Sequence, residues 1–264
     1  MHSRRRFLGA LALLLPAAAL PKLGDCLAWG GTMKPWNVAH RGGAKLNPEN
    51  TMAAFQKAIA LGCDAFELDI HFSSDRDLVV IHDDTLERCS HCAGVVHELT
   101  MAQIKQADPK IPSLREALQA ARGHCKVLVE IKHPAQGPRY EGIEAVLLTQ
   151  LQQEQMLDQV VVISFERQSL KLIRAQNTQV QTGLLVSGAS DVKADLQELG
   201  INWIAPHYSQ ADRAYIQAAH ALGLRVNTWT VNTQNDMLRL LESGCDSITS
   251  DRPDMLKELI TNSQ

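Results

Sequence analysis

The 264-residue chain shows almost no imbalance of charge: 26 Lys and Arg stand against 29 Asp and Glu, a formal net charge of −3. Nucleic-acid binding proteins carry clustered cations, and the only basic run here is Arg4-Arg5-Arg6. Nucleic acid is therefore excluded as a partner. A membrane span is missing too, because the hydrocarbon core asks for about 20 apolar residues and the run from Phe7 to Leu20 is shorter. Aromatic residues make up 5% of the chain and form no stripe that would lie on a bilayer. No glycine-rich nucleotide loop follows the first β-like run; the glycines there are Gly42-Gly43, behind His40-Arg41. That absence argues against a doubly wound open sheet. No second CxxC accompanies Cys89-Ser-His-Cys92, which favours a short loop disulfide over a zinc site.

What the N-terminus does contain is an address. A positive region, an apolar run and then Pro21 with polar residues have the layout of a signal peptide. Ser3-Arg4-Arg5-Arg6-Phe7-Leu8 resembles the twin-arginine export motif. Residues 1–30 are thus expected to be a leader read by export machinery, and residues 34–264 a single domain with no stable membrane span after processing. Its destination would be the periplasm or the exterior. An uncleaved anchor is the competing reading, and Asp25 in Leu-Gly-Asp-Cys26 speaks against a lipoprotein. Export permits disulfides, and Cys63 and Cys125, each just before an expected strand, form a second possible pair.

From Trp36 onward, apolar β-like runs alternate with amphipathic helical ones through eight βα units. No linker points to a second domain. The pattern predicts a parallel sheet and, at this length, a (β/α)8 TIM barrel with a small insert after the second strand. The first helix is expected to be capped by Asn47 or Asn50 and stopped by Gly62. The helix "SLREALQAARG" is expected between Ser113 and Gly123.

The second strand, "CDAFELDIHF", carries the chemistry. Side chains alternate along a strand, so Phe66, Leu68 and Ile70 share one face and Glu67, Asp69 and His71 the other. Buried carboxylates are costly unless paired or bound to metal. Glu130, in "VLVEIK", has the parity to join Glu67 and Asp69, with Val129 and Ile131 facing the helices. Three carboxylates in one space repel, and a hard divalent cation held by oxygens relieves them. A purely structural network with Arg41 and Lys132 would leave surplus acid. His40 and His82 end strands beside this cluster, and near-neutral pKa values suit them to proton transfer. Arg41 and Lys132 offer positive charge for phosphate oxygens. Together the set describes metal-assisted cleavage of a phosphodiester.

"HRGGAKLNPENTMAAFQKAIALGCDAFELDIHFSSDRDLVVIHDDTLERC", followed in order by "VLVEIKHP", "VVVISF", "VNTWTVN" and "GCDSITSDRPD", resembles the glycerophosphodiester phosphodiesterase family from about Trp36 to Ile260. The resemblance implies Glu67, Asp69 and Glu130 as ligands of one divalent cation, Ca2+ or Mg2+ with Mn2+ a further candidate. It implies His40 and His82 as the acid/base pair and Arg41 and Lys132 on the phosphate of a glycerophosphodiester. It also implies that Glu49 and Asn50 shape the first loop, with Glu49 near the metal. Trp229 is read either as lining the glycerol or alcohol pocket or as packing at the barrel top. Two rivals are a lysophospholipase D-like enzyme on the same fold and a non-catalytic exported phosphodiester-binding protein. The chain departs from the family at Asp75-Arg76-Asp77, where a Gly is usual, and in the segment Cys89–Pro112, expected to overhang the mouth.

Overall fold

The computed structural model describes residues 34–90 and 92–262; the expected leader, Cys26 and His91 lie outside them. Strands β1 (Trp36–Ala39), β2 (Ala65–Phe72), β4 (Lys126–Ile131), β5 (Val160–Ser164), β6 (Gln181–Val186), β7 (Trp203–Pro206), β8 (Arg225–Thr228) and β9 (Ser247–Ser250) pair in parallel. The ring closes where β1 meets β9 over all four of its residues and β2 through Val38↔Ala65 and Ala39↔Phe66. This is the expected (β/α)8 barrel. The short strand β3 (Leu78–Val80) is the exception, folding back antiparallel on β2 with Ile70 opposite Val80. The run "DLVVIHD" thus forms a hairpin with β2 outside the eight staves.

Helices α1 (Met52–Ala60), α4 (Leu114–Ala121), α5 (Ile143–Gln153), α6 (Arg167–Gln176), α7 (Val192–Leu199), α8 (Arg213–Ala221), α9 (Gln234–Ser243) and α10 (Pro253–Asn262) surround the strands. Between β3 and α4, the insert holds α2 (Glu87–Ser90), a 3-10 turn (Val96–Glu98) and α3 (Met101–Ala107). Val79, Ile81, Leu86, Val96, Ile104 and Ile111 give it a small core of its own. Ser113 caps α4 as expected, and Glu116 completes a reciprocal capping box. For α1 the expectation needs correcting: Thr51, not Asn47 or Asn50, accepts from Ala54 N. Asn50 sits at φ +54, which turns its side chain inward to a different task.

The alternation read in β2 holds. Phe66, Leu68 and Ile70 join Val127, Val129 and Ile131 in the layer between strands and helices. Inside the barrel, Val38, Ala65, Leu128, Val161, Ile163, Leu185, Trp203 and Ala205 form an apolar filling. Trp36 and Trp203, with ring centroids 5.0 Å apart, close the N-terminal end under the Arg225 guanidinium. A packed interior with a sealed floor leaves only the C-terminal end open for chemistry. The expected disulfides are absent: Cys63, Cys89, Cys92 and Cys125 are free thiols, as is Cys245. Cys89 Sγ faces Glu49 Oε1 at 3.8 Å, whereas Cys92 Sγ faces the Ala107 carbonyl at 3.3 Å. Cys63 and Cys125 share one apolar layer, where burial pushes their thiols up to about 12 and about 11.

Candidate active site

At the mouth, one ligand oxygen each from Glu67, Asp69 and Glu130 lies within 4.8 Å of the others, and all three residues are buried. Glu67 and Asp69 come from β2 and Glu130 from β4, where Asp69 is the register partner of Glu130. Burial, then Asp69 and Glu130, raise the Glu67 carboxyl well above its ordinary value. Burial likewise lifts Glu130 to about 7, against the pull of Lys132. Asp69 also meets a burial penalty, but Lys132 and Arg41 outweigh it and hold Asp69 below the usual range. Lys132 Nζ stands 2.7 Å from Glu130 Oε1 and 3.2 Å from Asp69 Oδ1, and Arg41 Nε stands 3.4 Å from Asp69 Oδ2. Three acids thus face two cations. Buried Asp69 Oδ1 still accepts no hydrogen bond, and the donor set is all oxygen. Both features fit a hard divalent cation.

His40 and Arg41 open a 3-10 turn that continues β1. Arg41 takes φ +50, a sparsely populated region for a side-chain-bearing residue. The turn aims its N–H at Glu67 Oε2, 3.0 Å away. Behind it, a Cβ on Gly42 (φ +81) would meet Ala54 Cβ at 2.6 Å, so this position requires glycine for the loop to lie on α1. His40 Nε2 is 4.0 Å from Glu67 Oε2, and His40 Nδ1 is bonded to Asp251 Oδ1 at 2.6 Å. Asp251 is held from its other oxygen by Asn232 Nδ2 at 2.7 Å.

His82, after β3, repeats the pattern with Nδ1 on Asp83 Oδ1 at 2.7 Å. An ionised carboxylate can only accept. Burial works to raise Asp251, yet its bond to His40 keeps it below its ordinary value. The bond from Arg88 holds Asp83 down to about 2. In both dyads the imidazole Nδ1–H therefore donates and Nε2 is left as the exchangeable nitrogen. Burial lowers His82 from its usual value, against the attraction of Asp69.

Of the eight sequence-predicted site residues, Glu67 and Asp69 lie within β2 and Glu130 near the end of β4, while His40, Arg41, His82, Lys132 and Trp229 stand just beyond strand ends. Seven are linked to one another by the contacts above or by the field acting on His82. Trp229 stands apart with the β5, β7 and β8 ends: its Nε1 donates to the Ala205 carbonyl at 2.7 Å, and its ring packs edge-to-face on Phe165 and His207. Glu49 reaches the acids through Arg41. It is not in the carboxylate triad and instead accepts from Arg41 Nη1 at 3.0 Å. Sequence reasoning missed the supporting partners. Asn50 Nδ2 donates to Asp69 Oδ2 at 2.9 Å; Asp251 and Asp83 orient the histidines, and Asn232 and Arg88 hold those aspartates in turn. The Asp adjacent to His82 was the one available signal.

A barrel whose mouth joins a carboxylate triad to two aspartate-held histidines and two cations is of the class that works on phosphate esters. The chain belongs to the glycerophosphoryl diester phosphodiesterase family, whose model matches residues 40–255. It is 31% identical over 240 residues to a glycerophosphodiester phosphodiesterase of Caldanaerobacter subterraneus subsp. tengcongensis, covering 86% of this chain and 98% of that one. A Bacillus subtilis glycerophosphodiester phosphodiesterase is 27% identical over 282 residues, covering 96% and 94%. The solved structure of an Oleispira antarctica phosphodiesterase, in complex with the product sn-glycerol-3-phosphate, superposes with a TM-score of 0.77 at 27% identity, covering 85% of this chain and 96% of that one.

Proposed function

We propose that the chain hydrolyses glycerophosphodiesters, the deacylated head groups of phospholipids, to glycerol 3-phosphate and an alcohol. The observation that carries this reading is the pair of histidines, each with Nδ1 on an aspartate, flanking a carboxylate triad. The product bound in the Oleispira antarctica phosphodiesterase supports the substrate class. Glu67, Asp69 and Glu130 would hold one divalent cation, Ca2+, Mg2+ or Mn2+, which when bound polarises a phosphoryl oxygen. Arg41 and Lys132 balance the remaining phosphate charge. One histidine takes the proton of the glycerol 2-hydroxyl as that oxygen attacks phosphorus, and the other gives a proton to the departing alcohol. Water then opens the cyclic phosphate with the two roles exchanged.

The test is an incubation with glycerophosphocholine and glycerophosphoethanolamine, with and without EDTA, followed by each metal and a coupled assay for glycerol 3-phosphate. Product lost to the chelator and restored by a cation is the expected result; no product with any metal would overturn the reading. One observation favours a lysophospholipid as a second substrate: Phe165, 44% exposed, stands against Trp229 at the mouth. Release of choline and lysophosphatidate from lysophosphatidylcholine, read by a choline assay, would support it. We also propose that the leader exports the enzyme to the periplasm or exterior, on the strength of Arg4-Arg5-Arg6 and the apolar run behind it.

A further inference from the structure

The arginine that holds Asp83 has a wider reach than that one bond. Arg88, on α2, spreads its guanidinium over two carboxylates from different loops. Nε and Nη2 reach Asp83 Oδ2 and Oδ1 at 2.5 and 3.1 Å. Nη1 and Nη2 reach Glu49 Oε2 and Oε1 at 3.1 and 2.8 Å. Each carboxylate has a second partner in the site: Asp83 accepts from His82 Nδ1 and Glu49 from Arg41 Nη1. The chain of contacts thus runs His82–Asp83–Arg88–Glu49–Arg41, with Arg88 as the only bridge between the β3 loop and the first loop within it.

We infer that Arg88 is a positioning residue for catalysis, acting through Asp83 to fix the ring orientation and tautomer of His82. An ordinary surface ion pair contributes little, and Arg88 is half-exposed. This one differs because its partner is the group that orients a proton carrier. Free of Arg88, Asp83 can swing toward solvent, and His82 loses the acceptor that keeps its proton on Nδ1. Lysine cannot substitute, since a point charge does not span two carboxylates as a planar fork does. The effect belongs in turnover: a misplacement of about 1 Å can cost ~10²-fold in rate.

The inference rests on the reading that His82 moves a proton, so both are measured together. Steady-state kinetics on glycerophosphocholine, with the cation that supports wild-type turnover, would be run for Arg88→Ala, Arg88→Lys, His82→Ala and the double variant Arg88→Ala/His82→Ala. We expect kcat to fall about 10- to 100-fold in Arg88→Ala with KM changed far less, Arg88→Lys to behave like Arg88→Ala, and non-denaturing guanidinium to restore part of the lost rate while methylammonium does not. In the His82→Ala background the same substitution should cost almost nothing, because the group it positions is gone. An unchanged kcat in Arg88→Ala, or an equal loss in both backgrounds, would overturn the inference. Full activity in His82→Ala would instead sink the two-histidine reading. Should Arg88→Ala fail to melt cooperatively, Arg88→Gln carries the same test, since it keeps most of the side chain and removes the charged fork that spans Asp83 and Glu49.

Discussion

Glu130 sits in a triad that is short of positive charge, and this gives the site a pH signature. Its pKa, raised to about 7 chiefly by burial, lies above the ordinary value of ~4.3. A group raised on folding lends stability that is complete below its unfolded pKa and lost as pH climbs through the folded one. The metal-free protein should therefore lose stability between about pH 4.5 and 7 on account of this residue. A divalent cation must displace that proton, so its affinity should weaken as pH falls below about 7, with proton release on binding. Calorimetry in buffers of different ionisation heat would count the protons; binding with no release at pH 6.5 would refute the account. Glu130→Gln should reduce the release to whatever share Glu67 carries, and weaken the metal.

At the scale of the element, the turn after β1 is the most exacting piece of backbone. It needs left-handed φ at Arg41, Gly42 and Gly43 in succession, and α1 presses on it from below. Gly42→Ala faces about 1–2 kcal/mol from the left-handed conformation and about 1–3 kcal/mol from overpacking against Ala54. A fall in Tm of roughly 5 °C or more should follow, with kcat reduced beyond what the unfolded fraction explains, because His40 and Arg41 ride on the displaced turn. A variant with unchanged Tm and kcat would show that α1 yields freely. Much at this scale was legible in advance. Strict alternation in "FELDIHF" assigns the acids to one face, and Ser113 at the head of an amphipathic run announces a helix cap. Other features were not, because they depend on partners far along the chain or on competition between neighbours. Three residues in Asn47–Thr51 can cap a helix, and only the inward pull of Asp69 on Asn50 leaves the role to Thr51. That "DLVVIHD" runs antiparallel to β2 depends on pairing, which periodicity does not carry. Arg88 reads as any exposed helical arginine until Glu49 and Asp83 are seen to converge on it.

For the molecule as a whole, the leader and the barrel make a joint prediction. If residues 1–30 are removed on export, N-terminal sequencing of the protein recovered outside the cytoplasm should begin beyond the apolar run. An intact Met1 there would leave the anchor reading in its place. No helix among the described residues is long and apolar enough to cross a membrane.

The ring of strands also sets an order of events. The triad lies entirely on β2 and β4, so the first half of the chain carries the whole cation cage. His40 is different: the aspartate that orients it, Asp251, is 211 positions away, just past the strand that shuts the barrel against β1. A growing chain has all three acids of the cage before its last unit is made, but it has no oriented His40 until that unit docks. The orientation of His40 is thus a property of the closed ring, and a chain interrupted before its final strand would lack it whatever its acids do.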